Sequence, residues 1–393
     1  MGVTAIRLPL TALIFAMLPC ASALEVATGR MLGSGHDPRS FYVRTPGGPW
    51  ERTCTGPQFR TEAAGRLMNI RVAQALFDDE WLTERSFDPD ANTDSVIRAL
   101  DLWREHGVYN ITVSLQGGNT GYGTTVPEVR RAKNAYQSGP AEGLHVSAFR
   151  PDGSLKPAWG KRLVRLARAL DKRGMILTLT YFYQGQDEVL ESPAAIRNAV
   201  AQATDFLIDQ DLRNVIIEIA NEVGHSGFDH GHYIRDDLAT LIRLAQSRFA
   251  AKHAPFRLPV SASGLGNLGV PSGIRETADL TIIHGNDRPP EFKLRRVPEL
   301  LADPALPGPI YMNEDDNGRD PSLRNLELEL ASLDAVWAGG ASWGYMPWRQ
   351  IQMFPFRFYT PTGEDPDAQY FRAVLRAMQR RVLLPAAPAA PGP

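Results

Sequence analysis

The stretch from Asn214 to Glu222 constrains this chain most. It is almost continuously apolar, and a run without polar alternation reads as a strand buried on both faces, as parallel strands are in α/β proteins. Glu218 is its one polar interruption. An inward-pointing residue there would lie beneath a site at the strand's end, or serve as a hydrogen-bonded structural acid. Asn221 and Glu222 fall where the strand should stop. The run at residues 309–313 is built alike and is followed at once by Glu314.

Six further runs read as strands, at residues 68–76, 108–115, 175–181, 258–263, 280–284 and 341–346. Helical patterns separate most of them, at 94–105, 159–172, 193–209, 232–251 and 321–337, with a short piece near Ile274 and a final helix at 367–381. The first places Val96, Leu100 and Trp103 on one face, and Gly107 supplies its stop. Pro193 and Pro321 open two of the others. Eight strands with intervening helices predict an α/β chain folded as a (β/α)₈ (TIM) barrel. Its length of 393 residues with 43% hydrophobic side chains suits one such domain with loop insertions. The long loop at 116–156 is of a size more often functional than idle.

The ends read differently. Arg7, the apolar run 10–18 and the small residues Ala21 to Ala23 form a signal-peptide pattern over residues 1–23, which predicts a secreted or periplasmic protein. Residues before Cys20 match a lipid-attachment box poorly, and cleavage after Ala23 leaves Cys54 as the one remaining cysteine. Residues 24–66 read as an N-terminal wrap with a short hairpin around Phe41 to Val43, residues 67–383 as the catalytic barrel, and residues 384–393 as a disordered Pro/Ala tail. A formal net charge of -2 gives no reason to expect nucleic acid or an anionic membrane as partner, and the expected state is a monomer.

In a parallel barrel, functional groups gather at the carboxyl ends of the strands. Glu222 and Glu314 would then be two carboxylates on one rim, which is what hydrolysis of a glycosidic bond requires. Retention of configuration needs the two carboxyl groups about 5–5.5 Å apart. One must hold a proton while the other is ionised. Proximity helps, since ionised Glu314 would raise the pKa of Glu222. No metal or other cofactor is called for, because two carboxylates suffice.

Asn221-Glu222 after a buried strand, Glu314 ending the seventh strand and aromatics around the eighth resemble the clan A glycoside hydrolases, most of all the cellulase-like family 5 type. The helix and strand entry from Asp101 to Asn110 resembles that family's lead into its second strand, and the similarity spans roughly residues 67–350. The resemblance implies a retaining double displacement on a β-linked carbohydrate, with Glu222 as general acid/base and Glu314 as nucleophile. It further implies that Asn221 bonds the sugar 2-hydroxyl and that His284 bonds Glu314 or the sugar. Trp343 or Trp348 would floor the subsite of the cleaved sugar, and Tyr181 and Tyr183 would line the same mouth. Three positions depart from the pattern. Thr112 stands where the family carries an arginine, and Arg71 in the first strand would supply that charge. Tyr181 replaces an expected histidine. His284-Gly285-Asn286 keeps only half of a His-x-Tyr motif.

Two other readings compete. Glu222, His225, His230 and His232 crowd one segment, which suggests a metal-dependent barrel hydrolase. A carbohydrate-binding barrel without activity would keep the aromatics and lose the acid/base geometry.

Overall fold

The computed structural model describes residues 24–78, 87–117, 146–286, 288–317, 323–347, 351, 356–358 and 363–385. The signal-peptide pattern, most of the 116–156 loop, Trp348 and most of the Pro/Ala tail lie outside them.

The described residues open with a small antiparallel sheet of β1 (Glu25–Thr28), β2 (Phe41–Arg44) and β3 (Glu51–Arg52), in that order. This is one strand more than the expected hairpin, and β1 carries Val26 to the floor of the barrel. Val26 and Phe41 pack there with Leu67, Ile176, Ile216, Leu280, Ile282 and Tyr311 in an apolar cluster. The Val26 N–H donates to Arg213 O at 3.1 Å, and the Phe41 ring meets Tyr311 edge-on with centroids 5.9 Å apart. The small sheet therefore closes the end of the barrel away from the strands' carboxyl ends.

Eight parallel strands follow: β4 (Met68–Arg71), β5 (Asn110–Ser114), β6 (Ile176–Phe182), β7 (Val215–Ala220), β8 (Val260–Ser261), β9 (Thr281–His284), β10 (Ile310–Asp315) and β11 (Ser342–Tyr345). They are ordered β8-β7-β6-β5-β4-β11-β10-β9, and a parallel bridge between Ser263 and Ile282 joins the two ends. The fold is a (β/α)₈ barrel. Each strand falls on one of the eight apolar runs, with β6 continuing to Phe182 and β10 to Asp315 beyond the runs' ends. The first run is shorter as a strand than expected, because the chain turns after Arg71 into a tight helical turn at Ala73–Leu76.

The helices are α1 (Gly29–Leu32), α2 (Pro89–Glu105), α3 (Pro157–Asp171), α4 (Pro193–Asp209), α5 (Leu238–Ala251), α6 (Ile274–Thr277), α7 (Pro290–Ala302), α8 (Leu323–Ala338) and α9 (Pro366–Val382). Five of the long ones open on proline, whose missing N–H costs nothing in a first turn and whose φ is already helical. Asp88, Ser192 and Asp365 add side-chain caps in front of three of them. The expected helix at 232–251 begins instead as a wider π turn at His232–Asp236. Helix α7 had no counterpart in the sequence reading.

The interior of the barrel is polar above its apolar floor. Asn110 donates to Thr178 Oγ1 at 2.9 Å and also to the Tyr311 hydroxyl. Asn69 donates to Asn313 O at 2.8 Å. Every one of these groups is buried, so the hydrogen bonds are what make the layer tolerable. The apolar faces of the strands turn outward, to the helices.

Candidate active site

The polar layer rises toward the carboxyl ends of the strands, where five expected residues converge: Arg71, Asn221, Glu222, His284 and Glu314. Glu222 stands just past β7 with φ +47, a left-handed backbone that residues with a Cβ adopt rarely and that clusters at functional sites. Its N–H donates to Ser263 Oγ at 3.0 Å. Glu314 owes its position to an irregularity in β10. The register of β10 against both neighbouring strands shifts between Met312 and Asp315. Such a bulge re-aims side chains. As a result Asn313 and Glu314 both reach the site, and Asp315 turns outward to Lys293 Nζ at 2.6 Å.

One oxygen of Glu222, one oxygen of Glu314 and one ring nitrogen of His284 all lie within 4.8 Å of one another. His284 Nδ1 stands 3.3 Å from Glu222 Oε1 and 3.7 Å from Glu314 Oε2. Both oxygens of Glu314 are held. Arg71 Nε lies 2.8 Å from Oε2, and Asn286 Nδ2 donates to Oε1 at 2.6 Å. Arg71 also donates Nη2 to Asn221 Oδ1 at 2.7 Å. Asn221 in turn donates to Gln184 Oε1 at 3.1 Å, and Gln184 donates to Glu222 Oε2 at 3.3 Å. Arg71, both glutamates and the three amides Asn221, Gln184 and Asn286 thus form one connected set.

Glu218 lies beneath it, fully buried. It accepts from Asn313 Nδ2 at 3.1 Å and from Thr180 Oγ1, and stands 3.9 Å from Arg71 Nη1 and 4.0 Å from His284 Nε2. Both readings of this residue, structural acid and support under the site, describe what it does.

Burial alone would push the His284 imidazole down. The Glu314 carboxylate, the hydrogen bond to Glu222 and that residue's charge outweigh it, so the pKa is raised. Burial alone would likewise raise Glu222. The hydrogen bond and charge of His284, then His225 and Arg71, outweigh it, so the carboxyl lies below its ordinary value. This reverses the sequence expectation of a raised Glu222, because a cationic partner sits between the two carboxylates. Arg71 is raised: burial opposes its charge, but Glu314, Glu218, Tyr183 and Glu222 hold it.

Two expected substrate contacts are placed elsewhere. Gly344 faces the barrel interior, where a Cβ would collide with the Asn313 carbonyl and the Asn69 side chain. Alternation therefore turns Trp343 outward. It is fully buried, donates its indole N–H to Asp315 Oδ2 at 2.8 Å and stacks on Tyr345 with centroids 6.2 Å apart. Tyr181 also faces the helix layer, its hydroxyl 3.1 Å from Thr204 Oγ1 on α4. Tyr183, one residue beyond β6, does approach the site, with its ring 5.9 Å from the Arg71 guanidinium carbon.

The histidine-rich segment does not converge on a metal. The His225 ring accepts from the Gly227 N–H at 2.9 Å, His230 Nε2 lies 2.6 Å from Leu190 O, and His232 is exposed beside Asp236. Among the described residues, the set with ligand atoms close enough to hold an ion is Glu222, His284 and Glu314. Arg71 already occupies one oxygen of Glu314 there.

The sequence reading missed Asn286 and Gln184. The His284-Gly285-Asn286 spacing marked the first, since a side chain two residues past His284 returns to the same face. Gln184 belongs to a turn and left no pattern.

No family model and no curated protein matches the sequence. Solved structures do match in fold. One is a glycoside hydrolase family 5 enzyme from Prevotella bryantii, at 10% identity and a TM-score of 0.52, covering 83% of this chain and 99% of that one. Another is the GH5_18 protein of Streptomyces cattleya in complex with GlcNAc, at 14% identity and 0.50, covering 84% and 82%. A Bacteroides vulgatus structure aligns at 12% identity and 0.49 over 78% of this chain, which spans 60% of that chain's length.

Proposed function

We propose that this chain is a retaining glycoside hydrolase acting on a β-linked oligo- or polysaccharide. The observation that carries the proposal is the approach of Glu222 and Glu314 oxygens to within 4.8 Å at the carboxyl ends of β7 and β10. Oxygens that near suit a nucleophile with an acid/base rather than an inverting pair, whose carboxyl groups stand about 6.5–9.5 Å apart to leave room for a water. The shared scaffold with a family 5 enzyme is an analogy of fold; the site supplies the argument.

Glu314 attacks the anomeric carbon through one oxygen. Arg71 and Asn286 fix its carboxylate, one on each oxygen. Glu222 protonates the leaving oxygen. His284 Nδ1 stands 3.3 Å from Glu222 Oε1, within reach to exchange a proton with it, and its charge is what holds the Glu222 carboxyl low in the free chain. Once Glu314 is an ester, its negative charge is gone, and Glu222 takes a proton from the incoming water. Asn221 has both ends of its amide engaged with Arg71 and Gln184, so its contact with a sugar hydroxyl uses its second amide hydrogen. We further propose that residues 1–23 direct secretion or export to the periplasm, and that the barrel works as a monomer.

A second reading, a metal-dependent hydrolase, is favoured by the Glu222–His284–Glu314 cluster. The deciding experiment is a panel of β-glucan, β-mannan and aryl β-glycosides, assayed with and without chelator and with Glu314→Gln as control. The proposal expects hydrolysis of at least one substrate, indifferent to chelator and abolished by the substitution. Activity that survives Glu314→Gln, or that a chelator removes and a divalent cation restores, would refute it. So would an absence of hydrolysis throughout, which is what a binding barrel would give.

A further inference from the structure

The segment from Ser263 to Leu268 spans the rim between β8 and β9, and it is fixed at both ends to the candidate site. At its start, Ser263 Oγ accepts the Glu222 N–H, and Ser263 O accepts the Val223 N–H, each at 3.0 Å. At its end, the Leu268 N–H donates to His284 O at 3.0 Å. Gly264 is folded against the Gly269 carbonyl so closely that no side chain would fit, which shuts the loop on itself. Gly266 lies against Asn286, the residue that holds Glu314.

Leu265 sits between these anchors. It lies against Gly224, two residues past Glu222, where a Cβ would stand 3.5 Å from Leu265 Cδ1. It is 36% exposed. A single exposed leucine needs no explanation in general. This one sits on a loop hydrogen-bonded at both ends to the candidate site, and it packs against the segment that carries the acid/base.

We propose that Leu265 is the apolar wall of the leaving-group subsite. The ligand it takes is a group with an apolar face, either the C–H face of a pyranose or an aryl aglycone. The inference rests on Glu222 as proton donor to the glycosidic oxygen. A donor to that oxygen stands beside the departing group, so a side chain packed on the Glu222 segment lies on the leaving-group side of the scissile bond.

The test compares Leu265→Ala with the wild type on three β-glycosides of one sugar, glucosyl or mannosyl as the panel above selects. One carries 4-nitrophenol, one a second pyranose, and one fluoride, which is too small to reach the leucine. The expected result is a loss of about tenfold in kcat/KM on the aryl glycoside, the disaccharide or both, with the fluoride unchanged. Which arm loses identifies the natural occupant. Leu265→Met should restore most of the loss. An equal loss on all three, or none on any, would overturn the subsite while leaving the hydrolase reading intact. A wild type that turns over none of them overturns both.

Discussion

Arg71 is the residue on which the site's electrostatics turn. It is fully buried and faces Glu314 at 2.8 Å and Glu218 at 3.9 Å, with Asn221 closing its fork. Removing one partner of a buried ion pair leaves uncompensated charge and costs about 3–5 kcal/mol. Arg71→Met should therefore lose stability of that order, read by denaturant unfolding, and Arg71→Lys, which keeps the charge, should lose less. An equal loss in both variants would mean that packing, not charge, is the cause. Arg71 could be named from the sequence because a charge in the first strand could replace the arginine missing at Thr112. The two glutamates and His284 were equally legible, because each ends an apolar run. Trp343 was not, since facing in or out depends on strand register and sequence alone did not fix it. The lowered Glu222 was not legible either: it depends on an imidazole 62 positions away coming within hydrogen-bond range.

At the scale of elements, the strands were readable because burial on both faces leaves an apolar run with no alternation. Helix α7 was hidden by Pro289, Pro290 and Pro298, which look like breakers; Pro290 sits at the first helical position, where proline is favoured, and Pro298 lies inside the helix. The turn Asp187–Val189, after β6, shows how an element can carry a charge burden. Burial raises Asp187 to about 6, and burial followed by the charge of Asp187 raises Glu188 to about 8. Below pH 4.5, Glu188 is protonated folded or unfolded. Between 4.5 and 8 the unfolded chain ionises while the folded one keeps its proton, so stability falls as pH rises and the loss is complete above 8. Glu188→Gln removes that slope. Its Tm advantage over the wild type should be near zero at pH 4.5 and grow to a plateau by about pH 8. An advantage that does not change with pH would contradict the assignment.

The whole molecule is a barrel whose floor is sealed by a three-stranded sheet and whose polar interior leads up to two carboxylates. The barrel was legible from the count and spacing of apolar runs. The floor was not, because β1 and Val26 reach it through long-range contacts such as the bond to Arg213 O, which leave no local pattern. Retaining hydrolysis requires that Glu314 become covalently bonded to sugar while Glu222 manages the proton. The most direct measurement is peptide mass spectrometry after incubation with an activated 2-deoxy-2-fluoro-β-glycoside, which slows breakdown of a glycosyl ester. The expected result is one sugar adduct, on Glu314, retained in Glu222→Ala and absent from Glu314→Gln. An adduct on any other residue, or turnover of a substrate to the inverted anomer with no adduct formed, would contradict it.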